Sequence, residues 1–192
     1  MTTPTPDALG FLLSRRSRPY KTLALPVPSR DELMPLLTAA ARAPDHGKLE
    51  PWRFVVLEKP ALMRLATIAR SRAAELGYDA EKTEKGASQF DMGNLAVAVI
   101  EVQKPSDKIP ALEQTYSAGA VCLSLLNAAL SAGWGANWLS GWPSHDRLFM
   151  EQSLDLTPHE RIAGLVHIGT ETSVPPDRPR PDLKAIVTWQ ST

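Results

Sequence analysis

The sequence predicts one α+β domain, spanning residues 1–192, with three layers in which helices flank a central sheet of mixed or antiparallel strands. Two short apolar runs bounded by turn residues, Phe54–Leu57 and Leu95–Ile100, have the composition of buried strands. A longer segment, Glu113–Leu130, repeats apolar residues at the spacing of a helix. The chain has no internal repeat, and 192 residues suffice for one hydrophobic core. Helices and strands in this order favour the α+β class.

Composition and charge exclude several classes of function. The 21 basic residues are balanced by 21 acidic residues, so no net attraction to nucleic acid or to a membrane surface is expected. Cys122 is the single cysteine, which excludes a disulfide framework and a cysteine-based metal site. The four histidines lack metal-binding spacing. We therefore expect no nucleic-acid partner and no bound metal.

The sequence carries no pattern typical of export or of a membrane span. The first seven residues lack the basic and apolar segments of a signal peptide. Residues 114–144 contain no Asp, Glu, Lys or Arg, but Gly133-Trp134-Gly135 and many small polar residues interrupt them. We expect a buried helix followed by a turn, in a cytoplasmic protein without a membrane partner.

The first helix is expected to end near Arg18. Asp7 suits its N-cap, and Pro19 disfavours a helical conformation in the residue before it. Arg15-Arg16-Ser17 would then lie in the last turn. Two interpretations stay open from these residues alone. The cations either complement the helix dipole or form a pair of guanidinium forks for a phosphate or a polarised carbonyl.

A second helix is predicted to run from Ser29 toward Arg42. Ser29 and Glu32 fit a capping box, in which each residue satisfies a free backbone N–H. Pro35 is unfavourable inside this helix. A later cap at Asp31 is the alternative, because Pro35 would then cost only the first intrahelical bond.

The following loop is the stretch around which the functional prediction is organised. Residues 41–54 have the sequence ARAPDHGKLEPWRF, between the second helix and the first long strand. The loop is dense in polar groups, namely Asp45, His46, Lys48 and Glu50. Loops held by rigid elements often carry binding groups, although an ordinary solvated connection is the better explanation of this loop by itself.

The remaining elements follow from periodicity and proline. Pro60–Leu76 is predicted to be a helix, and Pro143–Leu154 a peripheral helix before a strand at Ile162–Ile168. Tyr78–Gln89 is charged and non-periodic, so it is expected to be irregular and mobile. Residues 175–192 form an extended C-terminal arm that is too rich in proline near its start to fold alone.

The long helix and the segment after it have features that could serve a partner subunit and a ligand. The helix Glu113–Leu130 has no charged face after Glu113, so it must be covered all round, by its own domain or by a second subunit. In Trp138-Leu139-Ser140-Gly141, glycine lets backbone approach a flat ligand and tryptophan can wall it. A tight turn filled by core aromatics explains the same residues equally well.

Several catalytic motifs are absent. The sequence has no G-x-G-x-x-G after a strand, no P-loop, no H-E-x-x-H and no G-x-S-x-G. No pair of carboxylates stands out as an acid–base couple. Any chemistry is therefore expected to come from a cofactor.

Four motifs together resemble the FMN-dependent nitroreductase family. They are Arg15-Arg16-Ser17, the pattern A-P-D-H-x4-P-W-R-F, the uncharged helix running into Gly133-Trp134-Gly135, and W-L-S-G at residues 138–141. Their order and spacing are those of the family over essentially the whole chain, closest to the short bacterial NAD(P)H nitroreductases. The resemblance implies the family's α+β fold and an intertwined homodimer with FMN in two clefts between the subunits.

The resemblance also implies roles for individual residues. Arg15, Arg16 and Ser17 would hold the phosphate and ring edge of FMN, and Arg42 and His46 would reach in from the loop, across the dimer interface. Trp138, Leu139 and Ser140 would line the flavin from the far side. Arg178 and Arg180 resemble a C-terminal basic pair that contacts the phosphate. One of Arg15 and Arg16 would favour the reduced, anionic flavin at its N1–C2=O edge, while the other grips phosphate.

The implied activity is oxidoreduction. NADH or NADPH would deliver hydride to flavin N5, and a nitroaromatic or quinone-like small molecule would then accept it in a ping-pong cycle, with no catalytic side chain. Lys48 and Glu50 stand where many members have Asn and Gln, and Leu139 where a polar or basic residue is common. These departures favour the alternative of a non-catalytic FMN-binding protein for storage or sensing. A flavin-free dimeric scaffold is the third hypothesis.

Overall fold

The computed structural model describes residues 6–192 and has an α+β architecture. The helices are α1 (Pro6–Ser14), α2 (Arg30–Ala40), α3 (Lys59–Glu75), α4 (Ala80–Asp91), α5 (Ala111–Ser131), α6 (Arg147–Leu154) and α7 (Leu183–Ile186). The strands are β1 (Leu23–Ala24), β2 (Trp52–Glu58), β3 (Leu95–Val102), β4 (Gly135–Leu139) and β5 (Glu160–Glu171). Short 3-10 turns occupy Tyr20–Thr22, His46–Lys48 and Trp142–Ser144. The fold class predicted from the sequence is confirmed.

The sheet is built around its longest strand, β5. Strand β3 pairs with one edge of β5 and carries β2 on its far side. Strand β4 pairs with residues 165–169 of β5, and β1 with residues 170–171, so the two short strands follow one another along the other edge. Every recorded pairing is antiparallel. Of the two sheet types predicted, the structure has the antiparallel one.

Alternate residues of β3 enter two separate cores. Leu95, Val97 and Val99 face α2 and α5, while Ala96, Ala98 and Ile100 face α3, α4 and α6. A strand buried on both faces is continuously apolar, which is why this run was recognisable in the sequence. Helices on both faces of the sheet give the three layers that were predicted.

The capping box of α2 forms as predicted. Ser29 Oγ accepts from Glu32 N, and Glu32 Oε2 accepts from Ser29 N at 2.8 Å. The alternative cap at Asp31 is not used. Pro35 therefore lies inside the helix, where it lacks the N–H that would reach the carbonyl of Asp31.

The predicted end of the first helix is wrong. Helix α1 stops at Ser14 rather than near Arg18, so residues 15–17 follow the helix instead of forming its last turn. Arg18 N donates to Ala136 O of β4 at 2.7 Å, which draws this segment toward the sheet. The predicted cap at Asp7 lies outside the residues whose side chains the structure describes.

The prediction of an irregular segment at Tyr78–Gln89 is also wrong. These residues belong largely to α4, whose N-cap Asp79 accepts from Lys82 N at 2.7 Å. One face of α4 is buried and contains Gly86, Ala87 and Phe90. Because that face mixes glycine and alanine with a single aromatic, it lacks the regular apolar stripe by which helices are recognised.

Segment 133–144 differs in part from its prediction. Residues after Gly133-Trp134 form strand β4 rather than a loop, and Pro143 belongs to a 3-10 turn that precedes α6. Pairing with β5 over five residues stabilises this strand, a long-range interaction that the sequence does not reveal.

Helix α5 is buried along most of the predicted stripe, and most of its other residues are half-buried or exposed. Cys122 lies fully buried on that stripe, and burial raises the pKa of its thiol to about 12. On another face, Leu112, Tyr116 and Leu123 are exposed. Within the described residues, no helix has the length and hydropathy needed to cross a membrane.

Candidate functional site

Two distant parts of the chain meet in a cavity that we call the arginine cavity. It measures about 500 Å³ and is lined by the segment after α1 and by the C-terminal arm. The lining residues are Arg15, Arg16, Ser17, Arg178, Pro179, Arg180 and Pro181. Five of them were predicted as cofactor ligands from the resemblance, and the structure brings those five together.

Arg15 has a buried donor and, among the described residues, no carboxylate partner in this cavity. Its Nη2 donates to Ser17 Oγ at 3.3 Å, but its buried Nε has no hydrogen-bond partner among residues 6–192. Burial, and then the charges of Arg180 and Arg16, lower the pKa of the Arg15 guanidinium. A buried donor without a partner is costly, so an anion in the cavity would be strongly favoured.

Arg16 is held by the arm on the other side. Its Nη1 donates to Pro176 O at 2.5 Å and to Asp177 Oδ1 at 2.9 Å. Arg180 Nη2 donates to the same carboxylate oxygen at 3.1 Å. Asp177 is therefore the link between the two segments that line the cavity.

Arg18 fixes the direction of the segment 15–18. Its Nε donates to Glu171 Oε2 at 2.5 Å, and its Nη1 donates to Arg16 O at 3.1 Å. Glu171 closes strand β5, so the segment is anchored to the end of the central strand. Arg18 does not itself line the cavity, so it supports the segment without adding a cation to the site.

A second, wider cavity lies beside the same segment. It measures about 1190 Å³ and is bounded by the turn at Tyr20–Lys21, the outer end of β4 and helix α4. The lining residues are Tyr20, Lys21, Asp79, Glu81, Lys82, Glu84, Lys85, Ser88, Gln89, Asn137, Leu139, Ser140, Gly141 and Trp142. Two of the predicted residues, Leu139 and Ser140, belong to this wide cavity.

Helix α4 is a fixed wall of the wide cavity. A Cβ built on Gly86 would lie 2.0 Å from Trp142 Nε1, so glycine permits close approach of the helix to the indole. The same Nε1 donates to Lys82 O at 3.1 Å. Arg70 of α3 holds the helix from the other side, donating to Glu84 at 2.8 Å and to Asp91 at 2.6 Å.

A buried histidine lies behind the wide cavity. The Tyr20 ring lies 5.5 Å from the His167 ring, centroid to centroid, and Tyr20 OH lies 3.2 Å from Ser88 Oγ. Burial lowers the pKa of His167 to about 4. The imidazole is therefore neutral near pH 7 and adds no charge to the cavity above it.

Three predicted ligands lie away from both cavities of this chain. Trp138 packs over Gly164, where a built Cβ would lie 2.0 Å from the indole Nε1. Arg42 is exposed just after α2. His46 is also exposed, and its Nδ1 lies 2.7 Å from Glu113 Oε2. Their role as ligands reached across a dimer interface stays a prediction.

The loop that carries His46 has an unusual backbone. Gly47, Lys48 and Glu50 have φ angles of 75°, 54° and 47°, in the left-handed region where residues other than Gly and Asn are rare. Asp45 Oδ2 accepts from Glu50 N at 2.5 Å and helps to hold this conformation. Asparagine tolerates such angles better than lysine does, so the backbone at Lys48 is held in a conformation that is unfavourable for its residue type.

Sequence reasoning missed two components of the site. One is the face of α4 that lines the wide cavity, because α4 itself was not predicted. The other is Asp177, which directly precedes the two arginines of the arm in P-P-D-R-P-R. One acidic residue directly beside two cations was the sequence signal that could have indicated its role.

The two cavities differ in chemistry. The arginine cavity offers guanidinium forks and the Ser17 hydroxyl, a receptor suited to a compact dianion such as a phosphate ester. The wide cavity combines two aromatic rings, amide groups and hydroxyl groups with six charged side chains, three acidic and three basic. Its aromatic rings suit a flat heterocycle. In the part of the chain that the structure describes, no three His, Cys, Asp or Glu side chains are grouped to hold a metal ion.

This fold and this pair of cavities define an α+β protein equipped for a phosphate-bearing ligand. The chain belongs to the nitroreductase family, whose sequence model matches residues 12–170. The resemblance inferred from the four motifs is thus confirmed. The C-terminal arm that completes the arginine cavity lies beyond the matched residues.

Curated relatives agree with this assignment. The chain is 34% identical over 166 residues to the "Putative NAD(P)H nitroreductase" of Haemophilus influenzae, covering 85% of this chain and 88% of the relative. It is 30% identical over 164 residues to the "Putative NAD(P)H nitroreductase YdjA" of Escherichia coli K12, with the same coverage.

Solved structures share the fold. The nitroreductase-like family protein of Bacillus cereus superposes with a TM-score of 0.78 at 24% identity, covering 98% of each chain. A nitroreductase of Desulfovibrio desulfuricans, solved in complex with FMN, superposes with a TM-score of 0.75 at 18% identity, covering 99% of each chain. At these identities the likeness establishes the fold alone, and it confirms the nitroreductase-like architecture.

Proposed function

We propose that this protein is an FMN-dependent oxidoreductase that takes electrons from NADH or NADPH. The observation that carries the proposal is the arginine cavity, where Arg15 keeps a buried donor without a partner among residues 6–192. The solved FMN complex of a structural relative supports the choice of ligand, and the curated relatives' names support the electron donor.

The arginine cavity is assigned to the phosphate of FMN. Arg16 and Arg180 converge on one carboxylate oxygen, which means that their guanidinium groups are close enough to grip one anion together. Ser17 adds a hydroxyl. Arg15 is assigned to the N1–C2=O edge of the flavin ring, where its unpartnered Nε would find an acceptor.

The flavin ring is assigned to the side of Leu139 and Ser140. The segment 15–21 lines the arginine cavity with its first residues and the wide cavity with its last, so one extended ligand could follow it from phosphate to ring. Bound FMN would supply the redox chemistry, passing hydride at N5 from the nicotinamide to the acceptor. The protein's part is to bind, orient and shield that ring.

The wide cavity is also assigned to the two substrates in turn. Ping-pong turnover with a nitroaromatic or quinone-like acceptor is consistent with a single site that aromatic walls shape. Trp142 and Tyr20 provide those walls, and neither nicotinamide nor acceptor needs a catalytic side chain.

We infer further that the working form is a homodimer. Leu112, Tyr116 and Leu123 form an exposed stripe along α5, with side chains 57%, 65% and 44% accessible. An exposed apolar stripe of this kind favours a partner. A second subunit there would bring Arg42, His46 and Trp138 toward a neighbouring flavin. Sedimentation equilibrium tests this, and a monomer that binds FMN tightly would contradict it.

An absorbance spectrum of the purified protein tests the proposed function first. Flavin bands that bleach on anaerobic addition of NADH or NADPH are expected, followed by steady NAD(P)H consumption with menadione or a nitrofuran. No bands after soaking with FMN would contradict flavin binding and favour the scaffold hypothesis.

The rival function is FMN binding without useful turnover. Glu50 is exposed in the strained loop, and a carboxylate near a reduced flavin would disfavour its negative charge. Bands that persist with both nicotinamides, or consumption no faster than with free FMN, would support this function over the proposed one.

A further inference from the structure

Asp177 connects the two segments that build the arginine cavity. Its Oδ1 accepts from Arg16 Nη1 at 2.9 Å, from Arg180 Nη2 at 3.1 Å and from Arg178 N at 2.9 Å. The bond to Arg16 spans 161 positions of sequence. One carboxylate oxygen therefore accepts hydrogen bonds from two arginine side chains, one near each end of the chain, and from one backbone N–H.

This carboxylate lies beside the cavity rather than in its lining. The lining includes Arg16, Arg178 and Arg180 but not Asp177, whose side chain is 76% exposed to solvent. An anion could therefore enter between the arginines without first displacing Asp177. The arrangement differs from a carboxylate that occupies the anion position and competes with the ligand.

The arginines need such a carboxylate because they repel one another. The charges of Arg180 and Arg16 help to lower the pKa of the Arg15 guanidinium, which expresses that repulsion. Without the carboxylate, the long side chains of Arg16 and Arg180 would separate and lose their common orientation, at a cost in rotamer entropy when a ligand brings them together again. A site whose donors are already gathered binds more tightly.

We propose that Asp177 is a positioning residue for phosphate recognition, which holds Arg16 and Arg180 together at the edge of the arginine cavity. The inference rests on the proposed function, because the phosphate is that of FMN. Its consequence runs against simple charge attraction: removal of a negative charge near the anion site weakens binding of the anion. When the Asp177 carboxylate is removed, Arg16 Nη1 keeps its hydrogen bond to Pro176 O. Arg16 therefore stays partly fixed against the arm.

The experiment compares FMN with riboflavin, which lacks the phosphate, on the full-length parent and on Asp177→Ala. Flavin fluorescence gives both dissociation constants, and a thermal melt of the flavin-free protein reports folding. Ion pairs with an exposed partner hold side chains together only weakly. We expect the Kd for FMN to rise about fivefold, with the Kd for riboflavin and the melting temperature unchanged.

Asp182→Asn is the matched control. It removes the same charge from the same arm, and asparagine can still cap α7, where Asp182 accepts from Lys184 N at 3.0 Å. We expect no weakening of FMN in this variant. Asp177→Asn, which keeps an oxygen acceptor without the charge, should fall between Asp177→Ala and the parent.

Three outcomes overturn the inference. Tighter or unchanged FMN binding in Asp177→Ala would mean that the carboxylate competes with the phosphate or is neutral. An equal loss for FMN and riboflavin, or a lowered melting temperature, would mean a general role in folding the arm. A parent that binds neither flavin would overturn the proposed function as well, whereas the other outcomes leave it standing.

Discussion

Two sets of arginines in this molecule differ in what opposes their charge. Arg53 donates to Glu160 through two nitrogens, at 2.5 and 3.1 Å, and Arg161 donates to Glu101. These hydrogen bonds raise the pKa of both guanidinium groups. Arg15 has the opposite environment, since burial and two neighbouring cations lower its pKa.

The difference separates scaffold from site. Arg53 and Arg161 are each bound by a buried carboxylate, stabilise the ends of β2, β3 and β5, and line neither of the two cavities described above. A cation that lies beside other cations slightly destabilises the protein until an anion binds. Perturbed pKa values of this kind are common in binding sites. Each prediction below tests whether these two roles are truly distinct.

The largest effect is expected from Glu101→Ala. The buried carboxylate accepts from Arg161, Thr115 and Gln103, and although burial raises its pKa, these bonds outweigh that effect and lower it. Its loss removes these hydrogen bonds and leaves Arg161 without its carboxylate partner, so it should reduce the free energy of unfolding by about 3 kcal/mol. Urea titration measures this, and a loss below about 1 kcal/mol would contradict the scaffold role. FMN affinity should not change.

The reciprocal effect is expected from Arg16→Ala. Loss of a charge-assisted contact to phosphate costs roughly 1.5–3 kcal/mol, so FMN should dissociate about ten- to a hundredfold more readily while the fold stays intact. Arg161→Ala is the matched control and should lower stability without loosening FMN. Equal FMN affinity in Arg16→Ala and the parent would remove Arg16 from the site.

The smallest effect concerns acid. The hydrogen bonds from Arg53, aided by Thr157, lower the pKa of Glu160 from 4.5 to about 2 despite its burial. Since the folded-state pKa lies below the unfolded one, this stabilisation is present at pH 7 and is lost as pH falls from about 4.5 toward 2. Urea unfolding should show about 1–2 kcal/mol lost by pH 3. Glu160→Gln should lack this pH-dependent stabilisation. An identical dependence of stability on pH in the variant and the parent would refute the role of Glu160.

The sequence predicted those elements that local patterns determine. Strand β3 is apolar throughout, α5 has a regular stripe, and Ser29 and Glu32 form a local cap, so each could be recognised. The end of α1 and the whole of α4 could not, because each depends on a distant partner. For α1 the partner is Ala136, and for α4 it is Trp142.

The candidate site divides in the same way. The four arginines at positions 15, 16, 178 and 180 and the Ser17 hydroxyl were predicted from the family resemblance and do line one cavity. Asp177 and the face of α4 were not predicted, because their roles arise only when separate segments pack together. The predicted roles of Arg42, His46 and Trp138 depend on a second subunit.

The arginine cavity joins the beginning of the chain to its end. A ligand held by both Arg16 and Arg180 would close the polypeptide into a ring, and the exposed tail beyond Pro181 would be tethered through the ligand. Binding of this kind should slow local unfolding of the tail. The rate of protease cleavage between residues 173 and 182 should therefore fall as the arginine cavity fills with ligand. Conversely, a single cut there would release the ligand while both cores remain folded.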